Sequence, residues 1–125
     1  MKVLIAEDDP VSALALQTLL ATQGYEVTHA HDGAEAWNLL QQEMFPLLIL
    51  DWMMPNMDGL EVCRRVRAHL GEPYRCVVML TAKQENKDRT AAMHAGVDVF
   101  MSKPLNAQEM VARLKMAERI LEIEN

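Results

Sequence analysis

The run Leu47-Leu48-Ile49-Leu50 passes without a polar residue into Asp51, and the turn-forming stretch Trp52-Met53-Met54-Pro55-Asn56-Met57-Asp58-Gly59 follows at once. An apolar run of this kind suits a strand buried on both faces, as in the middle of a parallel sheet. Asp51 then sits where the strand leaves the core, at its carboxyl end, and in open α/β sheets that edge is where ligands bind. Pro55 and Gly59 shape the loop, and Asp58 is placed to cap a helix beginning near Gly59. Taken alone, Asp51 reads first as a turn residue. The polar groups at the other strand ends reverse that.

Lys2-Val3-Leu4-Ile5-Ala6 is a short apolar strand that stops at Glu7-Asp8-Asp9-Pro10. Pro10 fits the first turn of a helix, with Asp9 before it as cap. Val11, Ala15 and Leu19 share one face of that helix beside Leu16 and Leu20, and Gly24 ends it. Tyr25, Val27 and His29 alternate with Glu26, Thr28 and Ala30, the pattern of an edge strand. Asp32 and Gly33 start a second helix carrying Ala36, Leu39 and Leu40, which stops before Pro46. Beyond the Asp51 loop a third helix aligns Cys63, Val66 and Leu70 and ends at Gly71. Cys76 to Leu80 is again continuously apolar and runs into Thr81. Lys83 to Arg89 reads as loop and helix start, and Ala91, Ala92 and Ala95 form a short helix that Gly96 closes. Val97 to Ser102 alternates before Lys103-Pro104, and a last helix starts near Asn106.

Five strands alternating with five helices make a doubly wound α/β pattern. Half-exposed strands belong at edges and doubly buried ones inside. The order 2-1-3-4-5 satisfies both conditions, which predicts a flavodoxin-like (βα)5 three-layer sandwich on a parallel five-stranded sheet. Residues 1–125 read as a single domain without internal repeat or low-complexity tract. The net charge of −6 provides no basic stripe for phosphates, so direct nucleic-acid binding is not expected. No apolar run approaches the ~20 residues of a membrane span and no signal-peptide pattern opens the chain, so a cytoplasmic protein is expected. Cys63 and Cys76 lie in apolar segments without metal-ligand spacing and read as reduced core residues. The ten methionines are scattered, as gap-fillers in a core would be.

In that strand order four neighbouring strand ends carry polar groups: Glu7 and Asp8, Asp51, Thr81, and Lys103. Carboxylates held together repel, a pair about 4 Å apart by roughly 4 kcal/mol at an effective dielectric of 20. A cation relieves them, and oxygen donors without nearby His or Cys select Mg²⁺, Mn²⁺ or Ca²⁺ over zinc. Lys103 offers one positive charge to a phosphate oxygen or a carboxylate, and Thr81 a hydroxyl. A carboxylate nucleophile, a divalent cation, a lysine and a hydroxyl make a phosphoryl-transfer site, in which Asp51 attacks phosphorus to give an acyl phosphate. Each residue alone has a bland reading as cap or turn; their joint placement does not.

These marks, Ile5-Ala6-Glu7-Asp8-Asp9, Leu50-Asp51 through Asp58-Gly59, Leu80-Thr81-Ala82 and Ser102-Lys103-Pro104, resemble the receiver domains of bacterial response regulators over essentially the whole chain. The resemblance implies that Asp51 accepts phosphate from a phosphohistidine on a sensor histidine kinase or histidine phosphotransfer protein. It implies that Glu7 and Asp8 hold Mg²⁺ (Mn²⁺ as a substitute) together with Asp51 and the backbone carbonyl of Met53. Asp9 falls one place beyond the acidic pair and reads as cap first. Thr81 and Phe100 occupy the positions of a conformational switch, and Phe100, lacking a hydroxyl, leaves a packing switch. The resemblance also implies a cis Lys103-Pro104 peptide. Such a domain is no separate enzyme: it assists its own phosphorylation and dephosphorylation, and it controls an output domain or downstream partner. Met53 and Lys83 take the places that flank the attacking water in relatives, so slow self-dephosphorylation is expected.

Other functions fit less well. A haloacid dehalogenase-type phosphatase places its nucleophile after the first strand with a second Asp two residues on, where Asp51 has Met53. A flavodoxin-like cofactor carrier needs a hydroxyl- or glycine-rich loop after the first strand, where three acids stand. The remaining alternative is an unphosphorylated receiver-like interaction module. His29, His31, His69 and His94 share no useful spacing and read as surface or loop residues; Trp52 roofs the site or packs in the core. Met110, Leu114, Ala117 and Leu121 form a short seam that packs on the sheet, with Ile120 to Ile123 left as a possible homodimer contact.

Overall fold

The strand β3 (Leu47–Asp51) is buried at every position, and its side chains part to opposite sides. Leu48 and Leu50 enter one core, Leu47 and Ile49 the other. This is the physical meaning of the unbroken apolar run: both faces of the strand meet hydrocarbon, and each leucine so buried contributes roughly 2 kcal/mol. The computed structural model describes residues 1–82 and 89–125. Among these, β1 (Lys2–Ala6), β2 (Glu26–Ala30), β3, β4 (Cys76–Thr81) and β5 (Val99–Ser102) form one parallel sheet in the order β2-β1-β3-β4-β5.

The helices α1 (Pro10–Thr22) and α5 (Ala107–Glu124) cover one face through Leu16, Leu20, Met110, Leu114, Ala117 and Leu121. The seam on α5 is therefore spent on the sheet; Ile120 packs against the same core, while Ile123 is exposed. The helices α2 (Gly33–Gln42), α3 (Gly59–His69) and α4 (Arg89–Ala95) cover the other face through residues such as Ala36, Leu40, Val62, Cys63, Val66 and Ala92. Cys63 and Cys76 are free and buried on opposite sides of the sheet. Burial pushes their thiols up, to about 11 and about 12. Among the described residues no helix is long and apolar enough to cross a membrane.

Four caps start helices where the sequence places them. Asp9 accepts from Ser12 N at 2.9 Å, Asp32 from Glu35 N at 2.8 Å, Asp58 from Glu61 N at 2.8 Å and Asn106 from Glu109 N at 2.9 Å. Each is worth about 1 kcal/mol.

Three sequence expectations need correction. Val11 and Ala15 are exposed, and α1 buries Ala13, Leu16 and Leu20 instead. The helix is apolar nearly all round, so its pattern does not mark the core-facing side. In β2 the alternation is only partial: Val27, Thr28 and His29 are all half-buried and Ala30 fully so. His29 is thus a half-buried strand residue and not a loop residue. Its Nε2 lies 2.8 Å from the Glu7 carbonyl oxygen, and its ring centroid 4.4 Å from that of His31.

At the amino ends of β4 and β5 lies a second polar cluster. Asp98 accepts from Tyr74 Oη at 2.6 Å, Val77 N at 2.9 Å and Arg67 Nη2 at 2.9 Å. Arg67 also donates to the carbonyls of Gly96 and Arg75 and lies over the Tyr74 ring, 4.4 Å from its centroid.

Candidate functional site

The parallel sheet brings Glu7, Asp8, Asp51, Thr81 and Lys103 to one edge, as their strand-end positions require. The Lys103 Nζ lies 2.7 Å from Glu7 Oε1 and 2.8 Å from Asp51 Oδ2, bridging β1, β3 and β5. Glu7 and Asp51 are buried and Asp8 is exposed, and oxygen atoms of all three lie within 4.8 Å of one another. Three carboxylates against one ammonium leave a formal charge of −2, and the donors are all hard oxygens. That set fits a divalent cation of the Mg²⁺ type.

Burial pushes the Glu7 carboxyl above its ordinary range, and the adjacent Asp51 adds to this, while Lys103 opposes it. Burial disfavours the Lys103 charge, but hydrogen bonds to Asp51 and Glu7 outweigh it and hold the ammonium above its usual value. Asp9 points away as a helix cap, its carboxyl held low by Ser12.

Thr81 is fully buried, its hydroxyl 3.5 Å from the Met101 carbonyl. Phe100 lies on β5 in register with Met79, half-buried, with the Arg89 guanidinium 5.0 Å from its ring centroid. The Lys103–Pro104 peptide is cis, as is Glu72–Pro73. Trp52 is buried in the core on the α2–α3–α4 side, which gives it a packing role. Met53 is 60% exposed beside the site, and Lys83 lies outside the described residues.

The loop after β3 is fixed on both flanks. Gly59 N donates to the Trp52 carbonyl at 2.9 Å, and a Cβ on Gly59 would stand 2.4 Å from the Asp51 carbonyl oxygen. Asn56, at φ 70°, donates from Nδ2 to Asp32 Oδ2 at 2.7 Å. Hydrogen bonds from Glu35 N and then Asn56 keep the Asp32 carboxyl below its ordinary range. Sequence reasoning assigns Asp32 to helix α2 alone and misses this link, because no linear pattern joins positions so far apart.

Beside Lys103 opens a cleft of about 620 Å³, with Val11, Ala15, Ala82, Pro104 and Leu105 in its walls. Val11 and Leu14 stand exposed on the adjoining side of α1.

A family model for the response regulator receiver domain matches residues 3–115. The response regulator MprA of Mycobacterium avium is 37% identical over 115 residues, which are 92% of this chain and 50% of that protein. MprA of Mycobacterium ulcerans is 35% identical over 125 residues, 100% of this chain and 53% of that protein. The chain thus spans about half the length of these curated relatives. The receiver domain of a Francisella response regulator is 28% identical with a TM-score of 0.85, covering 94% of this chain and 96% of that one. The receiver domain of a Pseudomonas aeruginosa sensor histidine kinase, solved with a magnesium ion coordinated in its active-site cleft, is 26% identical. Its TM-score is 0.83, with 97% of each chain covered. Matched in this way along its length, in sequence as well as in fold, the chain belongs to the response regulator receiver domain family.

Proposed function

We propose that the domain is a phosphoryl-accepting switch of two-component signalling, with Asp51 as acceptor and a phosphohistidine of a sensor histidine kinase or histidine phosphotransfer protein as donor. The observation that supports this best is the Lys103 ammonium held between Asp51 and Glu7, with Asp8 in reach of both. In the transfer an Asp51 carboxylate oxygen attacks phosphorus in line; the new P–O bond forms as the P–N bond breaks, and the imidazole keeps the electron pair. Lys103 meets one phosphoryl oxygen. Glu7, Asp8, Asp51 and the Met53 carbonyl would hold Mg²⁺, with Mn²⁺ as a substitute, and the cation supplies neutralisation of the crowded negative charge.

The exposed Val11 and Leu14 and the neighbouring cleft give the donor protein an apolar landing beside Asp51. After transfer the Thr81 hydroxyl leaves the Met101 carbonyl for the phosphoryl group, and Phe100 repacks into the space this opens. Because Phe100 has no hydroxyl, the change is read as shape at the α4–β5 surface by an output domain or downstream protein. The domain itself binds neither nucleic acid nor membrane and works in the cytoplasm.

Incubation with acetyl phosphate and Mg²⁺, followed by intact mass, tests the assignment. One phosphoryl group is expected on the parent and none on a folded Asp51→Asn variant. A parent that never gains mass would instead be an unphosphorylated interaction module, and acid-stable labelling of Asp51→Asn would place the acceptor elsewhere.

A further inference from the structure

A cation ligand that belongs to the main chain differs physically from a carboxylate. Side chains turn about their χ angles to meet an ion, but a carbonyl goes where its loop puts it. The Met53 carbonyl therefore depends on whatever fixes residues 53–58. On the far side of that loop stands the start of α2. Asp32 uses both carboxylate oxygens there: Oδ1 accepts from Glu35 N at 2.8 Å and caps the helix, while Oδ2 accepts from Asn56 Nδ2 at 2.7 Å. The next residue is Gly33, where a Cβ would stand 1.9 Å from the Met57 carbonyl oxygen, so bare backbone abuts bare backbone. Asn56 holds φ 70°, a left-handed conformation that asparagine tolerates better than most residues.

We propose that Asp32 is a positioning residue of the cation site, acting through Asn56 to fix the loop that presents the Met53 carbonyl. It touches neither the cation nor the phosphoryl group. The inference rests on the cation site proposed above.

Two variants separate this role from helix capping and from backbone strain. Asp32→Ser keeps an N-cap oxygen for Glu35 N but is too short to serve Asn56 as well. Asn56→Gly removes the amide while permitting the positive φ. Mg²⁺ is titrated into each folded protein by calorimetry, with urea midpoints measured alongside. Each variant is expected to bind Mg²⁺ about tenfold more weakly, the loss that supporting partners of metal ligands commonly cause. The double variant should be no weaker than either single one, because both break the same link. The exchange Asp32→Asn with Asn56→Asp restores a donor and an acceptor in reversed order and should recover affinity.

Asp51→Asn is the control for the site itself, and its Mg²⁺ binding should collapse. Parent-like affinity in Asp32→Ser and Asn56→Gly, with Asp51→Asn collapsed, overturns the positioning role and leaves the site standing. Unchanged affinity in Asp51→Asn overturns the site and this inference together. Fully additive losses, or losses that follow the urea midpoints without recovery in the exchanged pair, reduce Asp32 to a helix cap.

Discussion

At the amino ends of β4 and β5, Asp98 takes hydrogen bonds from Tyr74, Val77 and Arg67, and Arg67 also donates to the Gly96 and Arg75 carbonyls. At the carboxyl end of the sheet, Glu7 and Asp51 share the Lys103 ammonium and Asp8 lies in reach of both carboxylates. Both regions withdraw ions from solvent, Asp98 and Arg67 in part and Glu7 and Asp51 almost wholly, which is costly unless charge and hydrogen bonds are matched. The Asp98 cluster sets its one carboxylate against the Arg67 guanidinium and leaves no negative excess. The Asp51 cluster leaves an excess of negative charge facing solvent through Asp8. The same chemistry thus takes two balances: one end is closed, and the other stays open with donors that fit a cation.

If that contrast is right, the largest thermodynamic effect belongs to the closed end. Asp98→Ala takes the counter-ion from Arg67 and the acceptor from the Val77 N–H, and should lower stability by about 3 kcal/mol. A urea midpoint measures it, and a loss below about 1 kcal/mol would make the pair no better than a surface one. Asp8→Ala at the open end should behave inversely. The side chain is exposed, so the urea midpoint should barely move, while Mg²⁺ affinity falls about a hundredfold, or ~2.7 kcal/mol. Unchanged affinity would return Asp8 to a loop role. The smallest effect concerns the lifetime of the phosphoryl group proposed for Asp51. Met53→Asn with Lys83→Glu should speed loss of the phosphoryl group about tenfold, needing only ~1.4 kcal/mol of barrier. Decay at the parent's rate, with Mg²⁺ fixed and donor removed, would show that lifetime is set by other residues.

What could be read from the chain before its structure divides along the same physical line. The central strands were legible because a strand with hydrocarbon on both faces has to be apolar without interruption, as Leu47 to Leu50 and Cys76 to Leu80 are. The four strand-end positions followed from topology once the edges were known. The burial of α1 was not legible, since Val11, Leu14 and Ala15 look as apolar as the residues that meet the sheet. The links Arg67–Asp98 and Asp32–Asn56 were also invisible. Each joins single polar residues across a long separation, and nothing in either neighbourhood requires the other. Sequence shows what a periodic environment demands; it conceals one-to-one pairings between distant side chains.

The two cysteines give this sandwich a clock for each of its layers. Cys63 belongs to α3 and the core on the α2–α3–α4 side, Cys76 to β4 and the core beneath α1 and α5. With thiols raised to about 11 and about 12, neither is an effective nucleophile at neutral pH while its layer stays shut. Alkylation of each thiol therefore times the opening of its own side of the sheet. Recorded with and without acetyl phosphate and Mg²⁺, the two rates would say which layer loosens if the proposed phosphoryl transfer to Asp51 changes the fold.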